Sequence, residues 1–221
     1  MKRSEINAAI SEAKDMIDRY SWVLPKWGYW SKEEYNNNPN LKNYLKNHQM
    51  GWDVTDFGKG EFEKKGITLF CIRNGIQGNK DDKPYAEKLL FMREGQEIPF
   101  HSHKVKLEDI INRGGGELVI EFLEVDSNQI VLNSKIDVLV DGEIVSVAPR
   151  EPLILKRGQS VTVERNIYHK FYSAEGSGMV MAGEVSQVND DNKDNYFLES
   201  VGRFTEIEED EVAIHPLWNE I

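Results

Sequence analysis

Cysteine is nearly absent: Cys71 is the only one in 221 residues. No intrachain disulfide can form, so stability must come from a packed core, and a reducing compartment is permitted. Cys71 lies in the apolar run ITLFCIR and is expected to be a buried small hydrophobe. The chain also lacks any run of ~18 apolar residues, and its opening MKRSEINAAISEAKDMIDRY has no uninterrupted apolar stretch of the kind a secretory leader needs. The expectation is a soluble, cytoplasmic protein with no membrane partner. Basic charge is in deficit, with 27 Lys plus Arg against 38 Asp plus Glu and a formal net charge of −11. That balance argues against nucleic acid as a partner but leaves small polar or anionic molecules open. No Ser/Gly- or Pro-rich linker divides the chain and no internal repeat is visible, so residues 1–221 are expected to form one domain.

Histidine is scarce as well, five in all, yet two of the five stand two apart in GQEIPFHSHKVKLEDIINRGG, with Glu108 five residues further on. Alternate residues of a strand face the same way, so His101 and His103 can present both imidazoles to one point, and a carboxylate after a short turn can complete one side of a metal site. Imidazole with carboxylate suits divalent Mn, Fe, Zn, Ni or Co and argues against an all-oxygen calcium cage. The plain alternative is two packed or solvated imidazoles. The spacing G-x5-H-x-H-x4-E-x6-G, written by Gly95, His101, His103, Glu108 and Gly115, resembles the first motif of the cupin family. In that family a second motif about two strands later supplies a third histidine. His48 lies in an Asn-rich loop and His215 precedes Pro216, which leaves His169 in RNIYHKFYS for that role. The flanks of His169 depart from the family pattern: Glu164 and Asn166 stand where proline and glycine are usual, and Ser173 where asparagine is. Asn tolerates the left-handed conformation better than most residues, so the turn can survive at Asn166.

Residues 4–20 read as an amphipathic helix capped by Ser4, with Ile6, Ala9, Ile10, Ala13, Met16, Ile17 and Tyr20 on one stripe. Ser31-Lys32-Glu33-Glu34 looks like a second helix start, Asn36–Asn40 its stop, and Leu41–Asn47 one more short helix. Four of the five tryptophans fall before residue 53 and are expected to pack this helical segment, 1–52, onto the rest of the chain. From Asp53 the pattern changes to short β-like runs: 67–73, 88–92, 98–103, 116–124, 135–140, 143–147, 153–155, 160–163, 169–173 and 179–188. Asp141-Gly142 between two of them is a hairpin signal. The fold expected is mainly β, a cupin-type, jelly-roll-like β-barrel over 53–202 with the helical segment packed on it, and 203–221 returning to cover it. The acidic patch Glu206–Glu211 reads as a solvated face.

Charged residues crowd the expected barrel interior: Lys88 on the strand before the motif, Lys106 between two ligands, and Glu184 among Val180, Ala182, Gly183 and Val185. A carboxylate in such surroundings is paired or functional, and burial would raise its pKa toward that of a general base. Over nearly its whole length the chain resembles the D-lyxose isomerases, cupins that interconvert aldoses and ketoses. The blocks that carry the likeness are LPKWGYW, YAEKLLFMREGQEIPFHSHKVKLEDIINRGGGELVIE and GEVSQVNDDNKDNYF. The resemblance implies a Mn2+-dependent enzyme (Co2+ or another first-row divalent metal being possible) that converts D-lyxose to D-xylulose and, relatedly, D-mannose to D-fructose. By position, the implied ligands are His101, His103, Glu108 and His169.

Moving a carbonyl between C1 and C2 requires either a proton shift through an enediol or a direct hydride shift. In the enediol route a base must reach the C2 proton while a cation stabilises the developing charge. Glu184 is the candidate base, with Lys106 or Lys88 as proton donor or electrostatic support. Lys88, Asp190, Asp194 and Arg203 are the candidate substrate contacts. Only one ligand cluster is visible, which favours the enediol over a hydride shift. Two other readings stay open: an Fe(II) dioxygenase using the same four ligands, and a non-catalytic sugar-binding cupin. Homodimerisation is expected from family habit and from the protection of open sheet edges in pairs.

Overall fold

The computed structural model describes all of residues 1–221. Three helices come first, α1 (Arg3–Arg19), α2 (Lys32–Asn36) and α3 (Pro39–Asn47). Thirteen strands come after them: β1 (Gly51–Thr55), β2 (Ile67–Arg73), β3 (Tyr85–Met92), β4 (Glu97–Ser102), β5 (Glu108–Gly115), β6 (Leu118–Leu123) and β7 (Ile136–Val140), then β8 (Glu143–Val147), β9 (Leu153–Leu155), β10 (Ser160–Val163), β11 (Tyr168–Ser173), β12 (Val180–Gln187) and β13 (Tyr196–Phe197). They form an eight-stranded sheet, β1-β2-β3-β12-β5-β10-β7-β8, and a five-stranded sheet, β13-β4-β11-β6-β9. The pairing is antiparallel throughout, and the two sheets face each other as the walls of the expected jelly-roll-like barrel.

Strand alternation sorts the large sheet into two faces. Leu90 and Met92 of β3, with Val180 and Ala182 of β12, point into the barrel and join Ile98, Phe122 and Phe171 from the opposite sheet. Their neighbours Leu89, Phe91 and Met181 point outward into a second core shared with Ile6, Ile10, Ala13 and Ile17 of α1. Both faces of β2, β3 and β12 are therefore covered, which explains apolar runs such as ITLFCI. The early tryptophans serve this outer core: Trp27 stacks on Phe70 at 5.0 Å between centroids, and Trp52 meets the same ring edge-on at 4.9 Å. Phe70 is fully buried, and such a side chain contributes about 1.5–3 kcal/mol.

Several local expectations shift. Lys2, not Ser4, caps α1: its backbone N–H donates to Glu5 Oε2 at 2.7 Å, while the Ser4 hydroxyl donates to Asp210 Oδ2 at 2.7 Å. Ser31 and Glu34 form the capping box expected for α2. Pro39 opens α3 instead of ending the segment before it, because the first helical position needs no N–H. The acidic patch is exposed, as expected, yet tethered: Arg3, only 2 % exposed, pairs with Glu209 and Glu220.

Strands β1, β5 and β13 are not evident from the sequence. In β5 the inward positions are Glu108, Ile110 and Asn112, and a register shift then turns Gly114 outward against the Tyr20 ring, so polar residues and glycine break the apolar alternation. The two motif glycines have different reasons. Gly95 has φ +71° with open space around it, whereas Gly115 has φ +88° and an added Cβ would lie 2.0 Å from the Met179 carbonyl oxygen. Asn166 sits at φ +64°, the left-handed turn anticipated for it, and Asp141-Gly142 takes φ +49° and +93° in the β7–β8 hairpin.

Candidate active site

Two strands of the small sheet and one of the large sheet bring four side chains to one point. His101 on β4 stands directly opposite His169 on β11, His103 comes just after the end of β4, and Glu108 opens β5 across the barrel. One ligand atom from each lies within 4.8 Å of the others, and all four residues are buried.

Backbone carbonyls set the tautomers. Nδ1 of His101 lies 2.9 Å from Pro99 O, Nδ1 of His169 lies 3.2 Å from Ile167 O, and Nδ1 of His103 meets Asp194 O. A carbonyl can only accept, so each Nδ1 carries the proton and donates it. Burial, with the neighbouring imidazoles adding to it, holds His101 well below the usual histidine pKa. Burial and then the Lys106 charge lower His103. The neutral rings of His101 and His103 therefore turn Nε2 lone pairs inward. Glu108 stays ionised: burial opposes its charge, but the ammonium of Lys106 beside it outweighs burial and holds its carboxyl well below the usual range.

Glu108 Oε1 lies 2.9 Å from His169 Nε2 and 3.5 Å from His103 Nε2, distances short enough for hydrogen bonds. With the ring protons on Nδ1 no hydrogen lies between these atoms, and all three are buried without a donor. Three converging acceptors repel one another unless a cation sits among them, and three imidazole nitrogens with one carboxylate are the donor set of a divalent transition metal. The residues fit the metal expected from the sequence.

Beside this cluster runs a chain of buried charges. Lys106 Nζ lies 2.7 Å from Glu108 Oε2 and 2.7 Å from Glu184 Oε1, so it bridges a metal ligand and the candidate base. Lys88, registered opposite Glu184 in the β3–β12 pairing, approaches the same carboxylate at 3.3 Å, and the Ser186 hydroxyl donates to it at 3.0 Å. The expected pKa direction is reversed here. Burial does oppose ionisation of Glu184, but the two lysine charges prevail and lower its carboxyl below the ordinary value. Its apolar neighbours in the sequence suggest the opposite sign, because both lysines arrive from other strands and loops.

A cavity joins these groups. His101, His103, Lys106, Lys88, Glu184 and Arg203 line it together with Phe57, Leu69, Ile98, Phe171 and Phe197. Seven of the fifteen lining residues are hydrophobic, so the interior is less uniformly polar than the sequence implied. No tryptophan reaches it. Arg203 Nη2 contacts Asp53 Oδ2 at 2.7 Å and Asp191 Oδ2 at 3.2 Å, while its buried Nη1 has no partner. Asp191 and Asp53 were not singled out from the sequence: Asp191 lies one residue from Asp190, and nothing local marks which of the two turns inward.

Asp190 faces another way, accepting from Gln49 Nε2 at 3.2 Å and pairing with Lys193 at 3.4 Å beside a separate surface pocket. Asp194 turns its carboxylate to the backbone of residues 104–106. Neither lines the cavity. His48 and His215 are remote from it, held to Asp82 and to Lys14 respectively.

The family described as D-lyxose isomerase matches residues 1–221. The D-lyxose/D-mannose isomerase of Serratia proteamaculans is 40% identical over 215 residues, covering 96% of this chain and 93% of its own. The D-lyxose/D-mannose isomerase of Escherichia coli O157:H7 is 39% identical over 222 residues, covering 100% and 98%. Among solved structures, L-ribose isomerase of Cellulomonas parahominis with L-ribose superposes with a TM-score of 0.62, covering 94% of this chain and 98% of that one. At 15% identity that last likeness concerns the fold alone.

Proposed function

The chain belongs to the D-lyxose isomerase family, and we propose that it interconverts D-lyxose with D-xylulose and D-mannose with D-fructose by proton transfer through an enediol. It is a sugar isomerase, an intramolecular oxidoreductase that leaves no net electron change. The observation that carries the mechanism is Lys106, buried with one ammonium in contact with both Glu108 and Glu184.

His101, His103, Glu108 and His169 would hold the metal, for which Mn2+ is our assignment. When bound, it supplies Lewis-acid stabilisation of the negative charge that develops on the sugar oxygens. Glu184 takes the C2 proton, the C2–H electrons become the C1–C2 double bond, and Lys106 gives a proton to O1. The proton held by Glu184 then returns to C1 while O2 gives up its own to the now neutral Lys106 amine, which leaves a ketone at C2 and restores the ammonium. A resting Glu184 pressed by two ammonium groups is a weak base. Transfer of the Lys106 contact to the sugar oxygen removes the nearer charge and raises the proton affinity of Glu184 when it is needed. In the free protein Lys106 and Lys88 together keep Glu184 ionised. Arg203, fixed by Asp53 and Asp191, offers its unpartnered Nη1–H to a sugar hydroxyl. The apolar residues of the lining suit the C–H groups of the sugar.

The enzyme works, on this reading, as a cytoplasmic homodimer; no helix is long and apolar enough to cross a membrane. The deciding assay is ketose formation from D-lyxose and D-mannose by chelated protein before and after Mn2+ is returned, with dissolved oxygen monitored in parallel. Ketose formation without oxygen uptake supports the isomerase. Oxygen consumption without ketose would favour a dioxygenase, and binding without turnover a sugar-binding cupin.

A further inference from the structure

Residues 103–107 form the loop between two metal ligands, and this loop carries Lys106. Its carbonyl groups are held from several directions: the Asn166 N–H donates to His103 O at 2.7 Å, Arg165 Nε to Val105 O at 2.6 Å and the Gln187 N–H to Leu107 O at 3.0 Å. Its N–H groups converge on a single carboxylate. Asp194 Oδ1 accepts from Lys104 at 2.9 Å and Val105 at 3.2 Å, and Oδ2 accepts from Val105 at 3.2 Å and Lys106 at 3.1 Å.

Successive backbone N–H groups around an anion make a concave nest, and hydrogen bonds to a charged acceptor are roughly twice as strong as neutral ones. A carboxylate has about four lone-pair sites, and three N–H groups, that of Val105 shared between both oxygens, converge on them. Asp194 is only 3 % exposed, so its carboxylate turns neither to water nor to the cavity. The same residue offers its main-chain carbonyl to Nδ1–H of His103. One residue thus holds the catalytic lysine's backbone and orients a metal ligand, through two different groups.

Resting on the assignment of proton transfer to Lys106 and Glu184, we infer that Asp194 is a positioning residue: its carboxylate fixes the 104–106 backbone so that Lys106 Nζ sits between Glu108 and Glu184. The role is separable from metal binding, because side-chain replacement leaves the carbonyl that orients His103. It is also distinct from sugar contact, the role its sequence position suggested.

Asp194→Asn tests the assignment. An amide keeps one oxygen for Lys104 and Val105 but turns an NH2 toward the Lys106 N–H, donor against donor. Displacement of a catalytic group by about 1 Å costs up to ~100-fold, so kcat should fall ~10- to 100-fold. KM for D-lyxose and Mn2+ affinity, measured by titration without sugar, should stay within ~3-fold, since the lost interaction acts in the transition state. In a Lys106→Met background the same substitution should lower kcat less than ~2-fold further, because two residues acting as one unit are not additive. In metal-free, sugar-free protein, amide exchange at residues 104–106 should be protected in the wild type and accelerate in the variant. Full additivity with Lys106→Met would overturn the inference, as would a rise in KM alone or free exchange of those amides in the wild type. If Asp194→Asn does not fold, wild-type exchange decides: protection of 104–106 comparable to β4 and β5 upholds the nest, and its absence refutes it. An inactive wild type would sink the isomerase reading, while the exchange arm would still judge the Asp194 contacts.

Discussion

Glu184→Gln changes one atom type at the centre of the charge chain and should separate chemistry from metal binding. Lys106 and Lys88 carry two positive charges against the two negative charges of Glu108 and Glu184, all buried. Gln can still accept from Lys106 Nζ and Ser186 Oγ, but it cannot take a proton from carbon. A positioned general base contributes at least ~100-fold, about 2.7 kcal/mol of barrier, so kcat should drop by that factor or more. Glu184 is not a ligand, so Mn2+ affinity should hold. Stability should fall as well, because Lys106 keeps Glu108 whereas Lys88 loses its close carboxylate. Leaving one buried charge uncompensated costs about 3 kcal/mol at the low end, which in a chain of this size lowers Tm by about 6–12 °C. The assay pairs steady-state ketose formation at saturating Mn2+ with thermal denaturation of the same sample. A rate near wild type would refute the assignment of the base. Asp191, the other carboxylate on the cavity that is not a ligand, would then be tested next.

Chelation should lower Tm and abolish turnover; Mn2+ at about 100 times its Kd should restore roughly 2.7 kcal/mol of stability, and His169→Ala should erase this gain. Glu108 and Glu184 titrate below their ordinary 4.5, so the stability they contribute is fully present above that pH and is lost as pH falls through their lower folded values. Urea midpoints of the metal-free protein should therefore decline in acid, and less steeply in Glu184→Gln; equal slopes would argue against the pairing. Gly95→Ala, with open space around it, should cost on the order of 1 kcal/mol in urea denaturation, and Gly115→Ala clearly more, since it adds a backbone collision to the same positive φ. Turnover of D-lyxose in heavy water should place deuterium at C1 of the D-xylulose, as NMR would read; complete retention of the substrate hydrogen, with Glu184→Gln still active, would favour a hydride shift.

Much of this protein was legible in the residues themselves. An H-x-H pair on a strand sends both imidazoles one way by backbone geometry alone, and Glu108 needed only a short turn to join them. The helical stripe of α1, the Asp141-Gly142 turn and the left-handed Asn166 are likewise local properties of the chain. β5 was hidden because its inward residues serve the site and the backbone, so Glu108 and Asn112 do not look like a core face. The tertiary structure decided what depends on groups far apart in sequence. It gave Glu184 its ionisation by bringing Lys88 across the β3–β12 ladder and Lys106 from the loop that leads into the neighbouring β5, reversing the sign that burial alone predicts. It chose Asp191 over Asp190 for the cavity, and it turned Asp194 onto the backbone of residues 104–106. A strand's alternation tells which face a side chain takes. The charge, tautomer and partners it has there depend on the summed field and hydrogen bonds of every element folded against it.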